Sequence, residues 1–155
     1  MRIGAGRLLP VLVVCASCSW GGAQPVAANP PLPDEEVAAF SLRAEGFYHQ
    51  LEDVPLDALV TYENRQLRDC FETPSGFSDY FSALASAARE AYFRDNTARK
   101  VRIREFYFAG PEEATVEVDF RSVHERTLRF WSIGFERTDH WKRADGVWHI
   151  VPEKL

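Results

Sequence analysis

The sequence predicts an α+β domain: about three N-terminal helices packed on a curved antiparallel sheet of four or more strands. Three observations carry this prediction. Apolar residues recur at three-and-four spacing in the first half of the chain, as on the buried stripe of a helix. After Asn96 the spacing becomes alternate, as on a half-buried strand. Asp145-Gly146, a favoured two-residue hairpin turn, stands between the last two alternating runs. Composition agrees: 155 residues with 46% hydrophobic and 26% charged are globular, and nine Gly and nine Pro without a period exclude collagen-like repeats.

The first helix is expected from Asp34, read as its N-cap, with Glu35 and Glu36 suited to the positive end of the helix dipole. Its stripe is Val37, Phe40, Ala44, Phe47, Tyr48 and Leu51. A second helix is expected to open at Asp53-Val54-Pro55, with Leu56, Leu59 and Val60 facing inward. Thr73-Pro74-Ser75-Gly76 reads as a loop, and a third helix is expected from about Ser78 to Arg94, with Phe77, Phe81, Leu84, Ala88 and Tyr92 on its stripe. Strands follow at Arg99–Phe108, around Ala114–Phe120, at Leu128–Arg143, where a bend is expected, and at Val147–Pro152. Gly110-Pro111-Glu112 turns the first into the second.

Ahead of the domain, residues 1–17 read as a signal peptide: Arg2 and Arg7, then the apolar run Leu8–Ala16, too short to span a bilayer. Cys15-Ala16-Ser17-Cys18 resembles the bacterial lipobox, which implies lipidation of Cys18, and Ser19 after it resembles the outer-membrane-sorted type. Ordinary cleavage after Ala23 or Ala28 is the alternative, giving a soluble periplasmic or secreted protein. Residues 18–33, with Gly21-Gly22 and four prolines, read as an extended tether, and residues 34–155 as the folded domain. Of three cysteines only Cys70 then remains in that domain, where an internal disulfide is impossible and a buried filler is the expected role.

The net charge of −5 argues against nucleic-acid binding, which rests on neutralising phosphates. Charge is uneven: residues 19–93 carry four basic and twelve acidic side chains, residues 94–143 eleven basic and nine acidic. Basic strands are the ordinary device for keeping a sheet soluble. His49, His124, His140 and His149 show no metal-ligand spacing, so neither metal nor cofactor is expected, and His124-Glu125 is expected to be solvated between two strands.

Gly110-Pro111-Glu112-Glu113-Ala114-Thr115-Val116 and above all Asp139-His140-Trp141-Lys142-Arg143-Ala144-Asp145-Gly146-Val147-Trp148-His149-Ile150 resemble the nuclear transport factor 2-like superfamily. The resemblance runs from Asp34 to the end of the chain. It implies a cone in which a curved sheet wraps the helices around a pocket, and a fold that can form homodimers. On function it is nearly silent, since the fold hosts enzymes, binders and scaffolds. Ketosteroid isomerases among its members use a helix-borne Tyr and a carboxylate base. Those positions fall at Phe47 and near Phe71, which are inert, with Tyr48, Asp69 and Glu72 close by.

The functional expectation is therefore an exported, lipid-anchored domain, facing the periplasm from the outer membrane. It would bind a small hydrophobic or carboxylate ligand, or an envelope protein, without catalysis of its own. An acid–base enzyme of the isomerase or cyclase type is the alternative. Strand parity nominates the pocket. With Asp145-Gly146 as turn, Trp141 opposes Ile150 and Arg143 opposes Trp148, and counting back by twos from Trp141 reaches Asp139, Arg137, Phe135, Ile133 and Trp131 on the same inward face. Arg137 and Asp139 are thus the expected polar pair, beside Trp131, Phe135 and Tyr48. A bulge near Thr138 would turn the pair outward.

Overall fold

In the computed structural model, residues 32–129 and 131–152 are described; Cys18, the leader and the tether before Leu32 lie outside them. Helix α1 (Asp34–His49) starts with three acids in its first turn and buries Phe40, Ala44, Phe47 and Tyr48. Asp34 is its first helical residue rather than its cap: Pro33 holds the N-cap position, and its carbonyl accepts from Glu36 and Val37. Two short helices follow, α2 (Leu59–Glu63) and α3 (Arg65–Arg68). Asn64 separates them, and its side chain accepts from the backbone of Gln66 and Leu67 as the cap of α3.

The second helix thus begins later than the sequence suggests, and Leu59 and Val60 point outward at 71% and 62% exposure. Long-range backbone pairing explains the shift. Asp53 adopts a left-handed φ of 58°, its N–H donates to Ala98, and the Leu56 N–H donates to Asn96, while Glu52 and Pro55 bridge to Ala98 and Thr97. These bonds hold residues 52–56 out of a helix and bury Leu56.

Helix α4 (Pro74–Glu90) takes in most of the stretch expected as a loop. Thr73 is its N-cap, accepting from Gly76 at 3.0 Å, and Pro74 fills the first turn, where its missing N–H costs nothing. At the other end the helix stops at Glu90, and Tyr92 leaves it with a φ of 60° and 54% exposure. A single 3₁₀ turn, Arg94–Asn96, leads into the sheet.

Four antiparallel strands follow in the order β1 (Lys100–Gly110), β2 (Glu113–Val123), β3 (Ser132–Ala144), β4 (Val147–Val151). The architecture is α+β, a four-stranded meander with α1 and α4 against one face. The β3–β4 register is Trp141 with Ile150, Arg143 with Trp148 and Ala144 with Val147. Asp145 and Gly146 turn it with φ of 51° and 80°, the pair of positive angles a type I′ turn demands. The β2–β3 register runs without a shift from Glu113–Lys142 to Val123–Ser132, so no bulge interrupts β3 at Thr138. Irregularity falls on β1 instead, between Ile103 and Glu105 and again between Phe108 and Gly110.

The core is aromatic. Phe40 of α1 meets Phe106, Phe108, Trp141 and Trp148 at ring separations of 5.4, 5.2, 5.7 and 4.9 Å, all edge-on. Arg43, one turn along α1, donates Nε to the Trp148 carbonyl at 2.6 Å and Nη2 to that of Asp69 at 2.7 Å. It thereby ties the helix to β4 and to the loop bearing buried Cys70.

Candidate functional site

Within this core lies one concentrated polar group. Asp139 opposes Val116 on β2, and because the strand is regular its side chain falls on the face toward the helices. Tyr48 reaches it from α1 and Tyr80 from α4, each donating its hydroxyl to Oδ2 at 2.8 Å. Arg137, two residues back and therefore on the same face, donates Nε to Oδ1 at 2.6 Å. Trp141, two residues on, donates its indole N–H to the Tyr48 hydroxyl at 3.3 Å. Three strand residues in alternate positions and one Tyr from each long helix make a single network.

Electrostatics follows from burial. Tyr48, Tyr80 and Trp141 are at most 1% exposed and the Asp139 residue 3%. A carboxylate there loses several kcal/mol of hydration, offset by three donors of which one is cationic. Burial, and next the neighbouring Asp139 charge, push both tyrosines well above the ordinary phenol range, so they stay neutral donors. For Arg137 burial alone would weaken the charged form, but Asp139 opposes this and the guanidinium is held more firmly protonated. Its Cζ also sits 4.5 Å from the centre of the Tyr80 ring, a cation–π contact.

Arg137 is the network's outlet. Its side chain is 16% exposed against 2% for that of Asp139. Nε is committed, whereas Nη1 and Nη2 make no hydrogen bond among the described residues. A guanidinium with one edge anchored and the other unclaimed suits a carboxylate or another planar acceptor.

The structure brings Arg137, Asp139 and Tyr48 together. Phe135 lies on the same face but belongs to a separate stack, 5.0 Å from Phe120 and 5.3 Å from Phe93. Trp131 is not beside the polar pair: it precedes β3, is 57% exposed, and touches His124 and Arg129. Parity fails there because the strand begins only at Ser132. Asp69 and Glu72 are exposed, and Phe47 and Phe71 are core, so the carboxylate near Tyr48 comes from the sheet and not from the helical half. His124, expected in solvent, is 4% exposed. Sequence reasoning misses Tyr80; its signal is its place one turn after Phe77 and one before Leu84, on the buried stripe. Cys70 is a buried free thiol whose pKa is raised by that burial. Among the described residues no three His, Cys, Asp or Glu gather as metal ligands, and no helix is long and apolar enough to cross a membrane.

No family model matches the chain, and no curated protein matches it. Among solved structures it is similar to that of a variant of Rv3472 from Mycobacterium tuberculosis, a protein of unknown function, at 14% identity and a TM-score of 0.45, over 78% of this chain and 73% of that one.

Proposed function

We propose that this chain is an exported ligand-binding domain of the cone-shaped, nuclear transport factor 2-like kind, lipid-anchored through Cys18, that holds a small carboxylate-bearing molecule on Arg137. The observation that carries the ligand is the half-used guanidinium: anchored by Asp139, backed by Tyr80, and the one member of the network that reaches water. A binder rather than an acid–base enzyme is favoured by the state of the hydroxyls. Both are locked neutral by burial and committed to Asp139, so neither is poised to exchange a proton near neutral pH.

Benzoate, phenylacetate and hexanoate serve as probes in a nuclear magnetic resonance titration that follows the Trp141 indole N–H, which belongs to the same network and is present in both proteins. Saturable shifts in the wild type that vanish in Arg137→Gln are expected. Silence toward all three, or shifts that persist in the variant, would remove the ligand reading. Lipidation is tested separately by labelling cells with a fatty-acid analogue: label on the wild type and none on Cys18→Ser is expected, and label on neither discards the anchor.

A further inference from the structure

At the opposite end of β3 from the Asp139 network, a backbone bond fixes the state of a histidine. The Arg126 N–H donates to His124 Nδ1 at 3.0 Å. A backbone N–H can only donate, so Nδ1 is an acceptor and the neutral ring carries its proton on Nε2. Yet Nε2 lies 3.0 Å from Arg129 Nη1, and a guanidinium also can only donate. Two N–H groups therefore confront each other, and among the described residues no acceptor serves either of them. The neighbourhood holds the ring firmly. Tyr92 stacks on it at 5.5 Å and 6°, Trp131 meets it edge-on at 6.3 Å, and Arg94 Nη2 donates to the His124 carbonyl at 3.2 Å. Turning the ring over would lose the Arg126 bond, and Arg129 is itself held over Trp131 at 5.4 Å.

We infer that His124 Nε2–H and the Arg129 guanidinium, swung off its 3.0 Å contact with the ring, form a site for a phosphoryl oxyanion that accepts from both. An anion there turns a donor–donor contact into two charge-assisted hydrogen bonds. Arg94 and Arg126 add positive charge, and exposed Glu125 subtracts from it. Burial of the ring, and next the nearby Arg129, lower the His124 pKa, so the neutral form with its single Nε2 proton is the relevant one. Tyr92 and Trp131, whose rings pack on His124, are 54% and 57% exposed, and Leu128, next to Arg129 in the chain, is 85% exposed. Such a rim fits a phosphate carried on an apolar body, whether a free phosphomonoester or a phospholipid headgroup.

The test uses the chain from Ser19 onward, so that neither the apolar leader nor a lipid assists vesicle binding, and follows the His124 ring nitrogens by nuclear magnetic resonance at pH 8. Inorganic phosphate is expected to shift Nε2 saturably where chloride at equal ionic strength does not. Arg129→Gln, on a partly exposed side chain, is expected to weaken that binding about tenfold or more, with Arg129→Lys in between. A response to vesicles of phosphatidylglycerol, absent with phosphatidylcholine and with free phosphate, and lost in Arg129→Gln, also supports the site and names a lipid headgroup as its source. No response to phosphate or to either vesicle overturns the inference, as does a response unchanged in Arg129→Gln.

Discussion

Tyr48 and Tyr80 donate to the same oxygen of Asp139, each at 2.8 Å, from helices that the sequence places far apart. Sharing one acceptor makes them partial substitutes. Tyr48→Phe and Tyr80→Phe should each cost about 1.5–3 kcal/mol, the value of a hydrogen bond to a charged group. The Tyr48 change should cost more, because it also strands the Trp141 indole N–H. With both removed, Asp139 keeps Arg137 alone, and the double variant should lose more than the sum of the singles. Urea unfolding of the four proteins measures this, and strict additivity would show that the two hydroxyls act independently.

The same tyrosines set an alkaline limit. In the unfolded chain a phenol loses its proton near pH 10, whereas both are held well above that in the fold. Below about pH 10 the two states bind equal protons at these groups and stability is flat on their account. Above it the unfolded chain sheds protons that the fold retains, so stability falls with rising pH. Absorbance at 295 nm should show Tyr48 and Tyr80 ionising only as the protein unfolds. The Tyr48→Phe, Tyr80→Phe double variant should lose that part of the slope; a slope left intact would place its origin elsewhere.

Gly134 is irreplaceable for reasons of contact. A Cβ there would stand 2.3 Å from the Phe120 carbonyl and 2.7 Å from Arg121 Cδ. Gly134→Ala should cost about 1–3 kcal/mol by forcing β2 and β3 apart. Gly46, inside α1 with nothing within 4 Å of its would-be Cβ, is the control. Gly46→Ala should stabilise by up to about 1 kcal/mol through helix propensity. Thermal melts of the two variants should move in opposite directions.

Thr73→Ala should cost about 1 kcal/mol by releasing the Gly76 N–H at the start of α4. Thr73→Ser, which keeps the acceptor, should restore most of it. A melt that fails to separate these two would mean that Pro74 alone starts the helix.

Local chemistry makes much of this fold readable. Alternation in β2 and the Asp145-Gly146 turn depend on neighbours in sequence, and they give the β3–β4 register directly. That register in turn sets the face of Arg137 and Asp139, provided β3 is regular. The segment from Asp53 to Leu56 misleads because its backbone bonds go to residues 96–98, which no local pattern reveals. Thr73-Pro74 carries both loop and helix-start signals, and the N-cap bond decides between them. Tyr80 as a partner of Asp139 needs two helices set against one strand, a relation of tertiary structure alone. Trp131 shows the limit of parity: counting by twos holds only while the chain is strand.

The bond from Tyr48 to Asp139 spans 91 residues. A nascent chain that has completed both long helices still lacks the anion for which their two hydroxyls are placed. Closing such distant pairs costs chain entropy before any of it is recovered, which slows folding. The helical half therefore has to wait for the last hairpin to leave the ribosome. Truncation before residue 139 should leave helices with an aromatic face uncovered, a form prone to aggregate and to be captured by chaperones.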